Sequence, residues 1–426
     1  MTDDRVFTKC AWRLIPFMML LYVINYLDRV NAGFAALTMN RDLGFSPSVF
    51  GFGAGLFFVG YLLFQVPSSV VLERAGTRRA LFAILAVWGT ISASTALVHS
   101  PRGFYLLRFV LGAAEAGFFP VMILYLTYWF PRSYRAQFTA VFMTAIPLAS
   151  IVGAPVSGLL LQLHSIGGIK GWQWVFLIEG LPAVVAAFAV FRFLPASPAH
   201  APWLSPAEKH CIVTRIAAED VARHRAVWPA LRDPRVIALG LVNFALLFAQ
   251  NGAGLWLPQI IQAMGFSTGS TSLFAALPSL AGLPVMVMWA RSSDRRDERI
   301  WHVALPALLA AAGFILTSMA TGNALSLAAM TLAFIGILAM NPTVFGLLAT
   351  YLSGPAVASG VALVLSISNI ASFFGPMIVG VLKERTGGYS ISMMLFALAM
   401  VTAALIVLAV GRTLVAHTAV EIVAAE

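Results

Sequence analysis

Asp28, Arg29, Arg108 and Glu115 lie inside stretches that are otherwise apolar enough to cross a bilayer. A central Asp or Arg costs about 2.5 to 3.5 kcal/mol on insertion scales, so four of them cost on the order of 10 kcal/mol before pairing, comparable with the net stability of a domain. Charges kept at that cost are expected to have a function. Arg29 and Arg108 are fixed cations able to hold an anion, and Asp28 and Glu115 are carboxyls able to take up protons. Together they imply proton-coupled carriage of organic anions. With both carboxyls ionised the four groups sum to zero; with both protonated the site carries +2 and draws a dianion strongly in a low dielectric. Proton uptake and anion binding then reinforce each other.

The first span must orient these groups. Tyr22, Asn25, Tyr26 and Arg29 recur at i, i+3, i+4 and i+7, a polar stripe on one helix face that is expected to line a cavity. Asp28 lies about 100° round from Arg29 and is expected to reach another helix. In the fourth span Arg108 and Glu115 are two turns apart, roughly 10 Å along one face, so each needs a partner from elsewhere. The alternative is an interhelical ion-pair network that locks the first and fourth spans together. Tyr61 in the second span, Asn369 with Ser366 and Ser368 in the eleventh, and Asn251, Trp256 and Gln259 in the seventh can bond a ligand or bridge helices. Glu179, in the sixth, reads as a buried structural acid.

The 426 residues are 60% hydrophobic and 10% charged, with mean hydropathy +0.88. That composition excludes a soluble domain and implies an all-α integral membrane protein. Twelve spans are expected, beginning near Trp12, Val49, Ala80, Gly103, Ala136, Trp172, Val236, Thr271, His302, Leu325, Ala356 and Tyr389. Met1 to Ala11 lacks the pattern of a cleavable signal, so the first helix is expected to be retained. The net charge of +10 does not indicate nucleic acid, because its placement follows the positive-inside rule. With both termini cytoplasmic, twenty basic residues fall on the inner side and five (Arg41, Arg102, Lys170, Lys383 and Arg385) on the outer. A multi-pass protein of the inner (plasma) membrane, acting as a monomer, is expected. Cys10 and Cys211 fall in cytoplasmic segments, where thiols stay reduced, and no His or Cys spacing suggests a metal. No cofactor is expected. No nucleophile, metal-ligand or paired-carboxylate constellation suggests an enzyme.

A polar stretch with Pro195, Pro198, Pro202 and Pro206 divides six spans from six. The expected domains are a helical bundle at 12–194, a cytoplasmic linker at 195–235 and a second bundle at 236–413. An internal repeat supports this division. Aligning Glu73 of Glu73-Arg74-Ala75-Gly76-Thr77-Arg78-Arg79 with Asp294 of Asp294-Arg295-Arg296-Asp297-Glu298-Arg299 sets an offset of 221, which also aligns Ala154-Pro155 with Gly375-Pro376. Two repeated six-helix halves place a substrate between them near the midplane, reached by alternating access. Glu73, Arg74, Arg78 and Arg79 with Asp294, Arg295 and Arg299 are expected to gate the cytoplasmic side. Pro67, Pro120, Pro147, Pro155, Pro278, Pro284, Pro342 and Pro376 read mainly as packing kinks. The four buried charges correspond to Ala249, Gln250, Ala329 and Gly336, so the first half is expected to handle charge and the second to offer neutral polar groups.

The two basic turns resemble the loop motif of the major facilitator superfamily. Within it the chain is similar to the anion:cation symporters, through Asn25-Tyr26-Leu27-Asp28-Arg29, Arg108-Phe109-x-x-Gly112-x-x-Glu115-Ala116-Gly117-Phe118-Phe119-Pro120, Tyr128-Trp129-Phe130-Pro131 and Gly171-Trp172-Gln173-Trp174. Asp42-Leu43-Gly44-Phe45-Ser46-Pro47-x-x-Phe50-Gly51 and Trp256-Leu257-Pro258-Gln259 resemble bacterial tartrate transporters. The resemblance implies proton symport of tartrate or a related sugar acid or dicarboxylate. It places Asp28 and Glu115 as proton carriers, and Arg29, Arg108, Tyr61 and Asn369 at the anion, where Asn25 of the polar stripe is also expected to bind substrate. The chain departs from the pattern in its second half, at Trp289-Ala290, Asn251 and Ile370-Ala371-Ser372-Phe373, which leaves open an organic-anion antiporter or a symporter of another carboxylate such as an aromatic acid or aldonate.

Overall fold

Inside a bilayer an apolar run satisfies its own backbone polar groups by forming a helix. The computed structural model, which describes residues 3–163, 166–217, 234–351 and 357–425, is accordingly almost all helix. Among those residues twelve helical stretches are long and apolar enough to span a membrane, from Asp4–Leu43 to Ser390–Gly411. The first six spans comprise α1 (Asp3–Leu43), α2 (Pro47–Ala75), α3 (Thr77–Ser94), α4 (Pro101–Glu115) with α5 (Phe118–Trp129), α6 (Arg132–Met143) with α7 (Ala145–Leu161), and α8 (Gly171–Phe193). After the connector helix α9 (Pro206–Ala217) come α10 (Pro234–Ala263), α11 (Thr268–Ala275) with α12 (Leu277–Arg296), α13 (Ile300–Met319), α14 (Asn323–Tyr351), α15 (Val357–Thr386) and α16 (Ser390–Ala425).

The first helix begins well before Trp12, the expected start. Its extra turns are polar in sequence but bury Val6, Phe7 and Cys10, and Lys9 donates to Glu208 of α9 at 2.9 and 3.0 Å. Tertiary packing extends a helix that an apolar window cannot detect.

Three prolines do more than kink. A proline has no N–H for the carbonyl four residues back and its ring crowds that carbonyl. Pro120, Pro147 and Pro278 follow shortly after the α4/α5, α6/α7 and α11/α12 breaks. Pro67, Pro155, Pro284, Pro342 and Pro376 instead stay inside continuous helices. The break before Pro120 makes Glu115 the last residue of α4.

Cα packing divides the chain into two units, Met1–Gly44 with Leu56–Arg223, and Phe45–Gly55 with His224–Glu426. In the first, α1 packs on α7 and α8, and α3 packs on α4 and α8. In the second, α10 packs on α15 and α16, and α13 packs on α14 and α16. Under the 221-residue offset these are the same pairings. Glycine permits the tightest crossing in the first unit: a Cβ on Gly112 of α4 would meet the Phe57 carbonyl oxygen and lie 3.0 Å from the Tyr61 nitrogen, and one on Gly60 of α2 would meet the Phe109 oxygen.

Candidate functional site

The α2–α4 crossing seats two guanidiniums around one aromatic ring. Arg29 leaves α1 and donates from Nε to Glu115 Oε1 at 2.5 Å, and its Nη2 pairs with the same oxygen. Tyr26, Phe57 and Tyr61 surround Arg29, with ring centroids 5.1, 5.5 and 5.0 Å from Cζ. Arg108, one helical face down α4, places its Cζ 4.9 Å from the Phe57 centroid. The ring face offers each cation electrostatic attraction without neutralising it.

The two arginines differ in what satisfies them. Arg29 is 21% exposed and neutralised by a buried carboxylate, whereas Arg108 is 1% exposed and its Nε and Nη1 have no hydrogen-bond partner. Buried donors are normally bonded, and a buried charge left unpaired is strongly unfavourable. Such a group calls for an anionic acceptor. Glu115 is fully buried and its Oε2 is unbonded, which leaves it room for a proton. The ion-pair alternative is met by Arg29 and Glu115, while Arg108 Nε and Nη1 are left without a partner.

Asp28 does reach another helix, and it finds neutral donors there. Asn31 Nδ2 donates to Oδ1 at 2.7 Å, Trp88 Nε1 donates to Oδ2 at 2.5 Å, and the Ser92 hydroxyl donates to Oδ1. Trp88 and Ser92 are one turn apart on α3, so one helix face supplies both. The indole can only donate, but a serine hydroxyl can donate to a carboxylate or accept from a protonated acid. Ser92 can thus serve Asp28 in either state. Neither residue was legible as a site member, although a tryptophan in an apolar span needs an acceptor for its N–H.

The remaining candidates separate by unit. Asn25 is fully buried with both amide atoms unbonded, while Tyr22 packs among Tyr26, Phe118, Phe119 and Phe142, at centroid distances of 5.3 to 6.2 Å. The expected cavity-lining stripe is therefore partly aromatic packing. Asn369 is half-buried on α15 of the second unit. Its neighbours are helix bridges: Asn243 donates to Ser368 at 2.8 Å, Asn251 to Ser372 at 2.9 Å, and Trp256 to the Pro376 carbonyl at 3.0 Å. Gln250, the counterpart of Arg29, accepts from Asn341 of α14 at 2.9 Å. The repeat position of Arg29 thus makes a neutral hydrogen bond, with a partner other than Gly336, the counterpart of Glu115.

The basic turns hold their own units. Arg78 donates to the Phe191 carbonyl and stacks over that ring at 4.9 Å; Arg74 and Arg79 are exposed, and the Glu73 side chain lies outside the described residues. In the second turn Arg299 pairs with Asp294 at 2.6 Å and donates to Ser293 at 2.8 Å, with Arg295 exposed. Glu298 accepts from the Trp301 and His302 backbone at 2.7 and 3.1 Å and bonds His302 Nδ1 at 2.6 Å. Burial pushes the Glu298 carboxyl up, but these bonds outweigh it and hold it below the usual carboxylate range. His302 is buried.

The family model for the Major Facilitator Superfamily matches residues 18–376. A protein of Agrobacterium vitis named "Putative tartrate transporter" is 44% identical over 96% of this chain and 96% of its own length. The "Inner membrane transport protein RhmT" of Escherichia coli is 36% identical over 88% of each. Among solved structures, a bacterial homologue of the human lysosomal transporter Spinster superposes with a TM-score of 0.77 at 17% identity, covering 94% of this chain and 96% of that one. A D-xylose-proton symporter gives 0.73 at 15%, covering 92% and 96%.

Proposed function

The chain belongs to the major facilitator superfamily and is a multi-pass membrane transporter rather than an enzyme; on that premise we propose that it is a proton-coupled symporter of organic anions, tartrate or a related sugar acid, working by alternating access. The observation that carries this reading is the buried Arg108 guanidinium, whose Nε and Nη1 lack an acceptor two turns from a carboxylate that neutralises the neighbouring Arg29.

The geometry supports a simple linkage. While Glu115 is ionised, the charge of Arg29 is spent on it. A proton on Glu115 removes that attraction and frees the Arg29 fork for a substrate carboxylate, the planar acceptor a guanidinium binds in bidentate fashion. A second substrate carboxylate then has Arg108. Protonation therefore favours anion binding, and by reciprocity the bound anion favours protonation. Asp28 is the other proton carrier in this reading, with Ser92 reversing its hydrogen bond as the acid fills. Tyr61 and Asn25 stand beside these groups, and Asn369 is assigned to the neutral part of the ligand. The tartrate assignment rests on the relatives' names and on the motifs at 42–51 and 256–259.

Both termini are assigned to the cytoplasm from the distribution of Lys and Arg, with the bundles at 12–194 and 236–413 joined by the linker at 195–235. Glu73, Arg74, Arg78, Arg79, Asp294, Arg295 and Arg299 are assigned to fastening the cytoplasmic side.

The test is uptake of labelled tartrate by proteoliposomes under an inward proton gradient, with and without a protonophore. Concentrative uptake that collapses with the protonophore is expected. Exchange that proceeds equally without any pH gradient would favour antiport, and failure to accumulate tartrate while another carboxylate competes for the site would reassign the substrate.

A further inference from the structure

Glu179 on α8 is 5% exposed and takes no part in the mechanism above. The Ser157 hydroxyl of α7 donates to its Oε1 at 2.5 Å, and Oε2 has no hydrogen-bond partner. The elements packed on α8 are α1, α3 with the short turn Thr95–Leu97 that follows it, and α7. Neither α7 nor that turn carries a charged residue. On α3 the charges are Arg78 and Arg79 in its first turn, and Arg78 is engaged by Phe191. On α1 the arginine closest in sequence to Asp28 is Arg29, engaged by Glu115, and the group whose field reaches Glu179 is Asp28. Glu179 thus has another acid as its electrostatic neighbour and no cation.

The two acids are built alike. Each is buried, each meets neutral donors only, and each has a serine hydroxyl able to donate to the ionised form or accept from the protonated one. They also adjoin. Ser92, which bonds Asp28, lies 3.1 Å from where a Cβ on Gly180 would stand, beside Glu179. Arg108 of α4 is the cation whose field reaches Asp28, while only the Asp28 charge reaches Glu179; the proton of the pair therefore rests first on Glu179, and the two titrations are linked.

We propose that Glu179 is a second proton-binding residue of the transporter, its protonation coupled to that of Asp28 across the α3–α8 crossing. When Asp28 takes up a proton, the negative charge beside Glu179 disappears and Glu179 can release its own. In either arrangement the pair holds one proton and one negative charge. The inference rests on the proton-coupled reading for its place in transport, but the residue's protonation is measurable apart from transport.

The experiment is pH-difference infrared spectroscopy on the full-length protein in lipid, comparing wild type with Glu179→Gln, Asp28→Asn and Ser157→Ala. A protonated-carboxyl band at neutral pH that vanishes in Glu179→Gln is expected. In Asp28→Asn that band should be lost at a pH lower by about one unit or more, because the opposing charge has gone. In Ser157→Ala it should move in frequency with the loss of its hydrogen bond. A neutral-pH spectrum unchanged by Glu179→Gln, or a Glu179 band indifferent to Asp28→Asn, would overturn the proposal. If Glu179→Gln fails to fold, an unshifted band in Ser157→Ala would overturn it alone. Wild-type uptake that ignores a protonophore would sink the symport reading without altering these spectra, and a missing Glu179 band would leave concentrative uptake standing.

Discussion

The Arg108 guanidinium, with Nε and Nη1 unbonded, sets the clearest expectation at the residue scale. Truncating one member of a buried charge pair costs about 2 to 5 kcal/mol, which is about thirtyfold or more in affinity. Arg108→Ala should weaken tartrate binding by at least that factor in calorimetry on purified protein, because it removes the cation whose Nε and Nη1 are left for an anion. Glu115→Gln should instead remove pH control. It abolishes the negative partner of Arg29, so binding should become flat across the range in which wild type strengthens on acidification, and concentrative uptake should fail. A wild-type pH profile in Glu115→Gln would refute its role. The four charges were legible in sequence because a charge in an apolar run stands out, whereas their partners were not. Arg29 with Glu115 and Asp28 with Trp88 and Ser92 meet across 86, 60 and 64 residues, and separations of that kind are set by packing.

At the scale of elements, the site depends on how closely α2 and α4 approach. A Cβ at Gly112 runs into the Phe57 backbone, so Gly112→Ala must push the helices apart and shift Phe57 relative to both arginines. A loss of about 1 to 3 kcal/mol is expected from overpacking, read as a lowered thermal midpoint, together with weakened substrate binding. Gly254→Ala, where nothing lies within 4 Å of the added carbon, is the matched control and should hold or raise the midpoint. The connector helix α9 offers a pH test. The Ser205 backbone N–H, and after it Lys9, hold the Glu208 carboxyl below the usual range. A depressed acid contributes its stability fully above the unfolded pKa, about 4.3, and loses it as the pH falls through the lower folded value. The distance between spin labels on α1 and α9 should therefore stay narrow from neutral pH down to about 4.3 and broaden below. Glu208→Gln should broaden it at neutral pH. Helix number was readable from apolar run length, but the early start of α1 and the breaks near Pro147 and Pro278 were not, since a proline's effect depends on what surrounds it.

At the scale of the whole molecule, the offset of 221 residues was readable from two landmarks and reappears as matching helix pairings in the two units. The side of the membrane is a separate matter, carried by Lys and Arg counts alone. In a background with Cys10 and Cys211 replaced by serine, Arg102→Cys should react with an impermeant maleimide in intact cells, and Arg74→Cys only after permeabilisation. The opposite pattern would invert the topology.

The neutral contact between Gln250 and Asn341 has a further meaning. In a chain built of two repeated bundles each joint has a counterpart, and here both the chemistry and the partner have changed: Gln250 stands at the position of Arg29, but Gly336, not Asn341, stands at that of Glu115. The ion pair of Arg29 with Glu115 can respond to a proton, whereas the amide pair of Gln250 with Asn341 carries no titratable group. If the first joint couples to protons as proposed, the second is free to drift toward new cargo without disturbing the energy source.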